Sequence, residues 1–306
     1  MNQIPLIQNS QKQLERLSAQ REIYASAKRN HGFQIVSTAL LPVILAIISL
    51  INDKFAALTA IYGVSIFIFD IWVVDPMINK KKVKAAKIQE LFDCDVLQMP
   101  KSTLKTVDDV AIEEVLTYYD AHAKIATNVE RVKDWYSPNI TPLKLPIARL
   151  LCQRSNCWWD SKLRRRYAHF LKYSSGGIFF ALMLIGFFKE MTLVNLTLIA
   201  AGMVPFFQFS IKQANDNIEA STRLNELCVF AKRSWENALL HHAADHELLI
   251  TSRMLQDEIF EHRKKSPLIL DLYYNLFRDK DEMVMNKSTS ILVAEALSMN
   301  THATGG

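Results

Sequence analysis

Apolar residues along this chain collect into four runs that arrive in two close pairs, residues 33–51 with 55–74 and residues 173–188 with 191–211. The first run reads FQIVSTALLPVILAIISLI and contains no charged residue. A helix needs roughly 20 apolar residues to cross a hydrocarbon core about 30 Å thick. Only Asn52, Asp53 and Lys54 separate this run from FAALTAIYGVSIFIFDIWVV, and only Lys189 and Glu190 separate the third run from the fourth. The pattern predicts an all-α integral membrane protein whose four transmembrane helices form two hairpins, joined to a helical cytoplasmic region. The predicted division is a cytoplasmic N-terminal helix over 1–32, hairpins over 33–74 and 173–211, and cytoplasmic helical regions over 75–172 and 212–296. A disordered tail over 297–306 completes it.

Between the runs the pattern changes to helical periodicity. Leu14, Leu17, Arg21 and Tyr24 share a face of a helix predicted to run straight into the first span. Residues 107–135 predict one long helix, capped by Asp108, with an apolar stripe of Ile112, Val115, Leu116, Tyr119, Ala123 and Ala126. The proline-rich stretch SPNITPLKLP predicts a bend. Residues 147–172 then place Arg149, Gln153, Asn156, Asp160 and Arg164 every three or four positions, a single polar face with Leu150, Cys157 and Leu163 turned elsewhere. After the fourth run, residues 212–246 predict a long emerging helix, followed by a second ended at Pro267.

Composition adjusts this picture in one respect. The chain of 306 residues is 50% hydrophobic with a formal charge of +5. Lysines and arginines crowd the polar flanks of the apolar pairs, as in the run Lys80, Lys81, Lys82, Lys84 and in Arg164, Arg165, Arg166. The short turn inside each pair holds one lysine and a balancing acid. Basic flanks stay on the cytoplasmic side, which predicts a multi-pass protein of the cell membrane with both termini cytoplasmic. The same clusters suit anionic lipid headgroups, and no motif for duplex DNA or RNA accompanies them. The polar stretch ahead of the first run, and that run's length, exclude a cleavable export signal.

Chemistry inside the runs is sparse. Asp70 is the ionisable residue within them, and it and Asn195 are the candidates for a pore or gating role. Asp70 also lies near enough to Asp75 and Pro76 to face headgroups instead. Pro42 and Pro205 are candidate kinks, and Gly177, Gly186 and Gly202 candidate points of close helix approach. Four spans enclose little water, so a channel here requires a homo-oligomer.

No phosphate-binding loop, nucleophile turn or paired-carboxylate motif is present, and HHAADHE is not a zinc-protease order. Cys94, Cys152, Cys157 and Cys228 lack metal-site spacing and read as reduced thiols. The reading is a non-enzyme with no metal and no cofactor.

Two stretches, VKDWYSPNITPLKLPIARLLCQRSNCWWDSKLRRRYA from Val132 and LQDEIFEHRKKSPLILDLYY from Leu255, together with the two-plus-two layout, resemble the SMODS-associating four-transmembrane effector family. The resemblance covers almost the whole chain. It implies a pore-forming or membrane-disrupting effector of bacterial antiphage defence, set in the inner membrane. Its trigger would be a cyclic or linear oligonucleotide made by an associated nucleotidyltransferase. No catalytic residues come with it.

A nucleotide ligand requires charge-assisted donors for its phosphates, which arginine supplies in pairs. Arg149, Arg154, Arg164 and Arg263 are the candidates, with Gln153, Asn156 and Gln256 to read bases and Asp160 or Asp257 to orient an arginine. Trp135, Tyr136 and Trp158 are candidate stacking partners. The competing expectation is that this network only ties two helical regions together, in a membrane adaptor whose helices bind a protein partner.

Overall fold

The computed structural model describes residues 2–105, 107, 110–240 and 244–303. All regular structure among the described residues is helical. A short helix α1 (Ile4–Ile7) precedes α2 (Gln11–Ile51) and α3 (Asp53–Val96), which are separated by Asn52 alone. Then come α4 (Ile112–Ala123), α5 (Ala126–Glu130), a turn of 3-10 helix at Pro138–Ile140, and α6 (Leu145–Phe188). Helices α7 (Leu193–Gly202) and α8 (Val204–Leu240) meet at a bend of 48°. The chain ends with α9 (Asp245–Lys265) and α10 (Asp271–Ala303).

Helices α2, α3 and α6 are each long and apolar enough to cross a membrane, and the bent pair α7–α8 supplies a fourth if taken as one span. Only 22 to 39% of each apolar window in the three is buried within the chain. Ile47, Ile61, Phe180 and Val194 instead face outward. A water-soluble fold hides such residues, whereas lipid accepts them.

Two prolines shape the first pair. Pro42 and Pro76 cannot donate to the preceding turn, and each follows a widened, π-helical turn, at Val36–Leu40 and Asp70–Val74. The wider turns absorb the missing bonds, so both helices continue without a break. Pro205 acts differently: it stands just past Met203, where α7 ends and α8 begins in a new direction. At the far turns, Asn52 caps the start of α3 and Thr192 the start of α7.

Two cores result. A small one joins Ala46, Leu50, Ala56, Leu182, Ile199, Met203 and Phe206 within the apolar segments. The larger joins Leu17, Phe92, Leu97, Tyr136, Leu150, Leu151, Trp235, Leu255 and Ile259 in the polar part of the molecule, where α3, α6, α8 and α9 pack together.

Several expectations need correction. The predicted helix over 107–135 is two helices, α4 and α5, broken at Lys124 and Ile125. Ile112 and Leu116 of its stripe are exposed, while Val115 and Tyr118 pack on Ala19 and Ile23 of α2. The Asp108 cap lies outside the described residues, as do His241 and His242. Residues 297–303 belong to α10 rather than to an irregular tail. The face of 147–172 is not solvated: Arg149, Gln153 and Arg164 are buried, as are Leu150, Cys157 and Leu163 on the other side. The end of α3 covers Arg149, α9 covers Gln153, and α8 with the linker after α9 covers Arg164, while Lys162, Arg165 and Phe170 of the same stretch stay exposed.

Candidate functional site

Burial of that face requires partners for each polar group. Arg149 donates to the carbonyls of Leu97 (2.8 Å) and Gln98 (3.1 Å), capping the end of α3, where exposed carbonyls favour a cation. Gln153 donates to the Ser252 carbonyl at 2.8 Å and to Gln256 at 3.1 Å. Gln256 in turn donates to Glu90 (2.9 Å) and Asp93 (2.8 Å) of α3. These carboxylates, buried at 2% and 0% exposure, pair with Arg253 at 2.6 Å and Arg263 at 2.5 Å. Tyr136 adds its hydroxyl to Asp93 at 2.7 Å, and Asn156 donates to that hydroxyl at 3.3 Å. Burial opposes the charge on Arg263, but Asp93 more than offsets it and raises the guanidinium's pKa.

Glu90, Asp93 and Arg253, which the sequence reading did not assign, are therefore central to this network, and Tyr136, read there as a stacking candidate, joins it through its hydroxyl. Their signal is spacing: Glu90 and Asp93 share one face of α3, and Arg253, Gln256 and Arg263 share one face of α9. Buried charges without such pairing are strongly destabilising.

A second cluster holds α6 to α8 and to the linker after α9. Arg164 donates to Asp160 at 2.8 Å, to Asn217 at 3.2 Å and to the Pro267 carbonyl at 2.9 Å. His262 lies 3.3 Å from Asp160. Burial pushes the Asp160 carboxyl up, but Arg164 and His262 outweigh it and hold the group well below the usual range. Asp257 pairs with Arg253 at 3.1 Å, and the Arg154 Nε has no hydrogen-bond partner among the described residues. The nine predicted ligand residues thus do not line one cleft. Arg149, Gln153 and Gln256 are spent on helix packing.

Two neighbouring cavities take up part of the set. The first, about 240 Å³, is lined by Arg21, Arg131, Lys133, Trp135, Tyr136 and Asn156, with the Arg21 guanidinium 5.5 Å from the Trp135 ring centroid. The second, about 230 Å³, is lined by Tyr24, Lys28, Asp160, Arg164 and Arg263. Tyr274 lines both. Arg21, Tyr24 and Lys28 fall on one face of α2, one helical turn apart. Cations beside aromatic planes suit an anionic ligand with flat groups. Of the predicted stacking residues, Trp135 and Tyr136 stand at the first cavity, and Trp158 sits under the Lys162 ammonium instead.

The predicted gating residues are separate from these cavities. Asp70 is buried and accepts from Gln34 at 2.7 Å, and Gln34 bonds His31 at 2.9 Å. Asn195 is at the opposite end, donating to Asp53 at 3.1 Å, beside a bond of 2.9 Å from Lys189 to the Leu50 carbonyl. It joins the two short turns and lies in no seam between the spans. No group of three or more His, Cys, Asp or Glu able to hold a metal ion occurs among the described residues.

No solved structure matches this chain. A probable CBASS effector molecule of Bacillus cereus (strain VD146) is 25% identical over 288 residues, covering 91% of this chain and 94% of that protein. The description of the SMODS-associating 4TM effector domain matches residues 2–292. An all-helical chain with spans enough for that architecture and a match over nearly its full length belongs to the SMODS-associating 4TM effector family.

Proposed function

We propose that this protein is a membrane effector of bacterial antiphage defence, opened by a nucleotide second messenger so that it permeabilises the inner membrane and halts the infected cell. The four spans form two hairpins with short outer turns, and both termini and the polar helices face the cytoplasm, the side of the basic flanks. The supporting relative is described as a CBASS effector. A nucleotidyltransferase product, cyclic or linear, is the ligand, and several copies assemble around the opening.

The observation that carries this reading is the continuity of α6. Its 44 residues form one rod of about 66 Å at 1.5 Å per residue. Leu151, Cys152, Ser155 and Asn156 at one end line the first cavity, and residues 173–188 at the other are a span. Helix α2 likewise carries Arg21 at the cavity and residues 33–51 among the apolar segments. A ligand that shifts α2 against α6 has differential affinity for two arrangements and moves the spans without further linkage. Phosphates would pair with Arg21, Arg131, Lys28 and Arg263, and a base would lie against Trp135 or Tyr274.

The test is membrane-potential dye fluorescence in cells expressing the protein with and without its nucleotidyltransferase activated. Depolarisation only with both supports the reading. A stable potential, with protein and signal both confirmed present, replaces it by an adaptor whose helices recruit a partner. Calorimetry with cyclic di- and trinucleotides then locates the ligand: Arg131→Ala should weaken binding at least tenfold, whereas unchanged affinity in Arg131→Ala and Arg263→Ala places it elsewhere.

A further inference from the structure

A third cavity, about 140 Å³, lies at the base of the apolar segments between α2, α3, α8 and the linker after α9. His31 and Gln213 face it, together with Asp75, Lys82, Lys212 and Asp216, and Lys265 and Pro267 close its other side. The lysines that face it are turned to other acceptors. Lys82 donates to Asn79 at 3.0 Å and to the Lys265 carbonyl at 3.4 Å, and Lys212 to Asp75 at 2.5 Å.

Two buried atoms are left over. Among the described residues, His31, 3% exposed, has no hydrogen-bond partner for Nε2, and Gln213, 8% exposed, has none for Oε1. The bonding above His31 fixes what its free nitrogen is. Gln34 spends its amide N–H on Asp70 at 2.7 Å, so its Oε1 must accept the 2.9 Å bond from His31 Nδ1–H. In the neutral ring Nε2 is then a bare lone pair. Both unmatched atoms are acceptors, and a buried acceptor left dry loses its hydration without a replacement bond. The cavity has room for about four waters at the liquid's share of roughly 30 Å³ each.

We infer that this cavity is a water-binding site, with His31 Nε2 and Gln213 Oε1 as its hydrogen-bond acceptors, and that the chain His31–Gln34–Asp70 carries its hydrogen bonding between α2 and α3 to the carboxylate of the apolar segments. The ligand class is water, donating to both acceptors. Hydroxyls extend the same seam further along the pair: Thr38 donates to the Gln34 carbonyl at 2.6 Å, Tyr62 to the Ser37 carbonyl at 2.8 Å, and Ser49 bonds Thr59 at 2.7 Å. The π-helical turns at Val36–Leu40 and Asp70–Val74 stand where this seam begins. The site goes beyond the effector reading and holds whether or not the spans open.

The experiment is water-edited solid-state NMR on the full-length protein, its histidines ¹⁵N-labelled, in lipid bilayers at neutral pH, with His31→Gln assigning the resonance. The expected result is a His31 ring protonated at Nδ1, bare at Nε2, and receiving magnetisation from water as fast as exposed His169. A ring protonated at Nε2, or one receiving nothing from water, overturns the site. Gln213→Leu removes one acceptor and leaves the chain to Asp70 intact, so it should slow the transfer to His31. Unchanged transfer would place the water elsewhere and equally overturn it. Neither measurement depends on membrane potential, so failure here leaves the effector reading standing, and failure of depolarisation leaves this site standing.

Discussion

Gly63 and Gly202 meet where α3 crosses the junction of α7 and α8, so closely that a Cβ on Gly63 would lie 2.6 Å from the Gly202 Cα. A Cβ on Gly202 would in turn meet the Thr59 side chain at 2.4 Å and its carbonyl oxygen at 2.8 Å. Small residues let helices in lipid pack backbone to backbone, and here they do so beside the bend at Met203. Gly63→Ala should therefore force the helices apart and cost about 1–3 kcal/mol, the usual penalty for overpacking. Gly186 supplies the contrast, since its added methyl would meet only the tip of the flexible Leu196 side chain. Thermal unfolding in detergent micelles should show a lower midpoint for Gly63→Ala and Gly202→Ala and little change for Gly186→Ala.

Asp93 lies fully buried in the polar core, with Arg263, Gln256 and Tyr136 all donating to it. Asp93→Asn leaves the Arg263 charge without its partner, and breaking a buried pair in this way costs about 3–5 kcal/mol. Tyr136→Phe removes one hydrogen bond of the three and should cost about 1–3 kcal/mol. The order of the two effects is the sharper prediction. A Tyr136→Phe protein less stable than Asp93→Asn in chemical denaturation would show that Arg263 is held by something other than Asp93.

The apolar runs were legible because lipid sets one requirement that any sequence can be read against, a long uncharged stretch. The close approach at Gly63 was not, since what makes a glycine matter is the helix that lands on it, here from 139 residues away in sequence. The same holds for the polar face of α6. Arg149, Gln153 and Arg164 recur at the spacing of a solvated surface, and nothing local says that α3, α9 and α8 respectively will cover them. Asn156, Asp160, Arg164 and Arg263 do stand at cavities, so of the candidate positions the sequence made these four legible as cavity-lining, while their role in ligand binding is a proposal. Arg21, Arg131 and Lys133 were passed over because two segments far apart in sequence deliver them, α2 and the turn after α5. Residues 107–135 misled through helical periodicity alone, which does not register the break at Lys124 and Ile125.

Cysteine reactivity should report on this packing. Cys94, Cys152 and Cys157 are buried and free, and burial pushes all three thiols up, Cys94 to about 12. Thiolate is the reactive form, and burial raises the Cys228 thiol too, but Cys228 is only half-buried, so a water-soluble maleimide should label the folded protein there alone. All four should label in denaturant. Rapid labelling at Cys152 in the folded protein would mean that the wall of the first cavity opens spontaneously.

Stability should also change with pH in two windows set by buried bases outside the spans. Burial, partly offset by Asp75, pulls the Lys82 ammonium from 10.5 down to about 8. Between those values the unfolded chain holds a proton that the folded chain has shed, so stability rises with pH there. His262 is likewise lowered by burial from 6.5, against the pull of Asp160. As pH falls through 6.5 the unfolded histidine protonates first, and stability declines towards the folded value. Asp160 extends the acid loss: its folded carboxyl stays ionised below 3.8, where the unfolded one takes up a proton. Unfolding midpoints followed by tryptophan fluorescence from pH 4 to 10.5 should thus fall towards acid and climb again above about 8. Lys82→Met should remove the alkaline climb alone, and His262→Gln the step near 6.5 alone. An alkaline climb that persists in Lys82→Met would assign it to a different base.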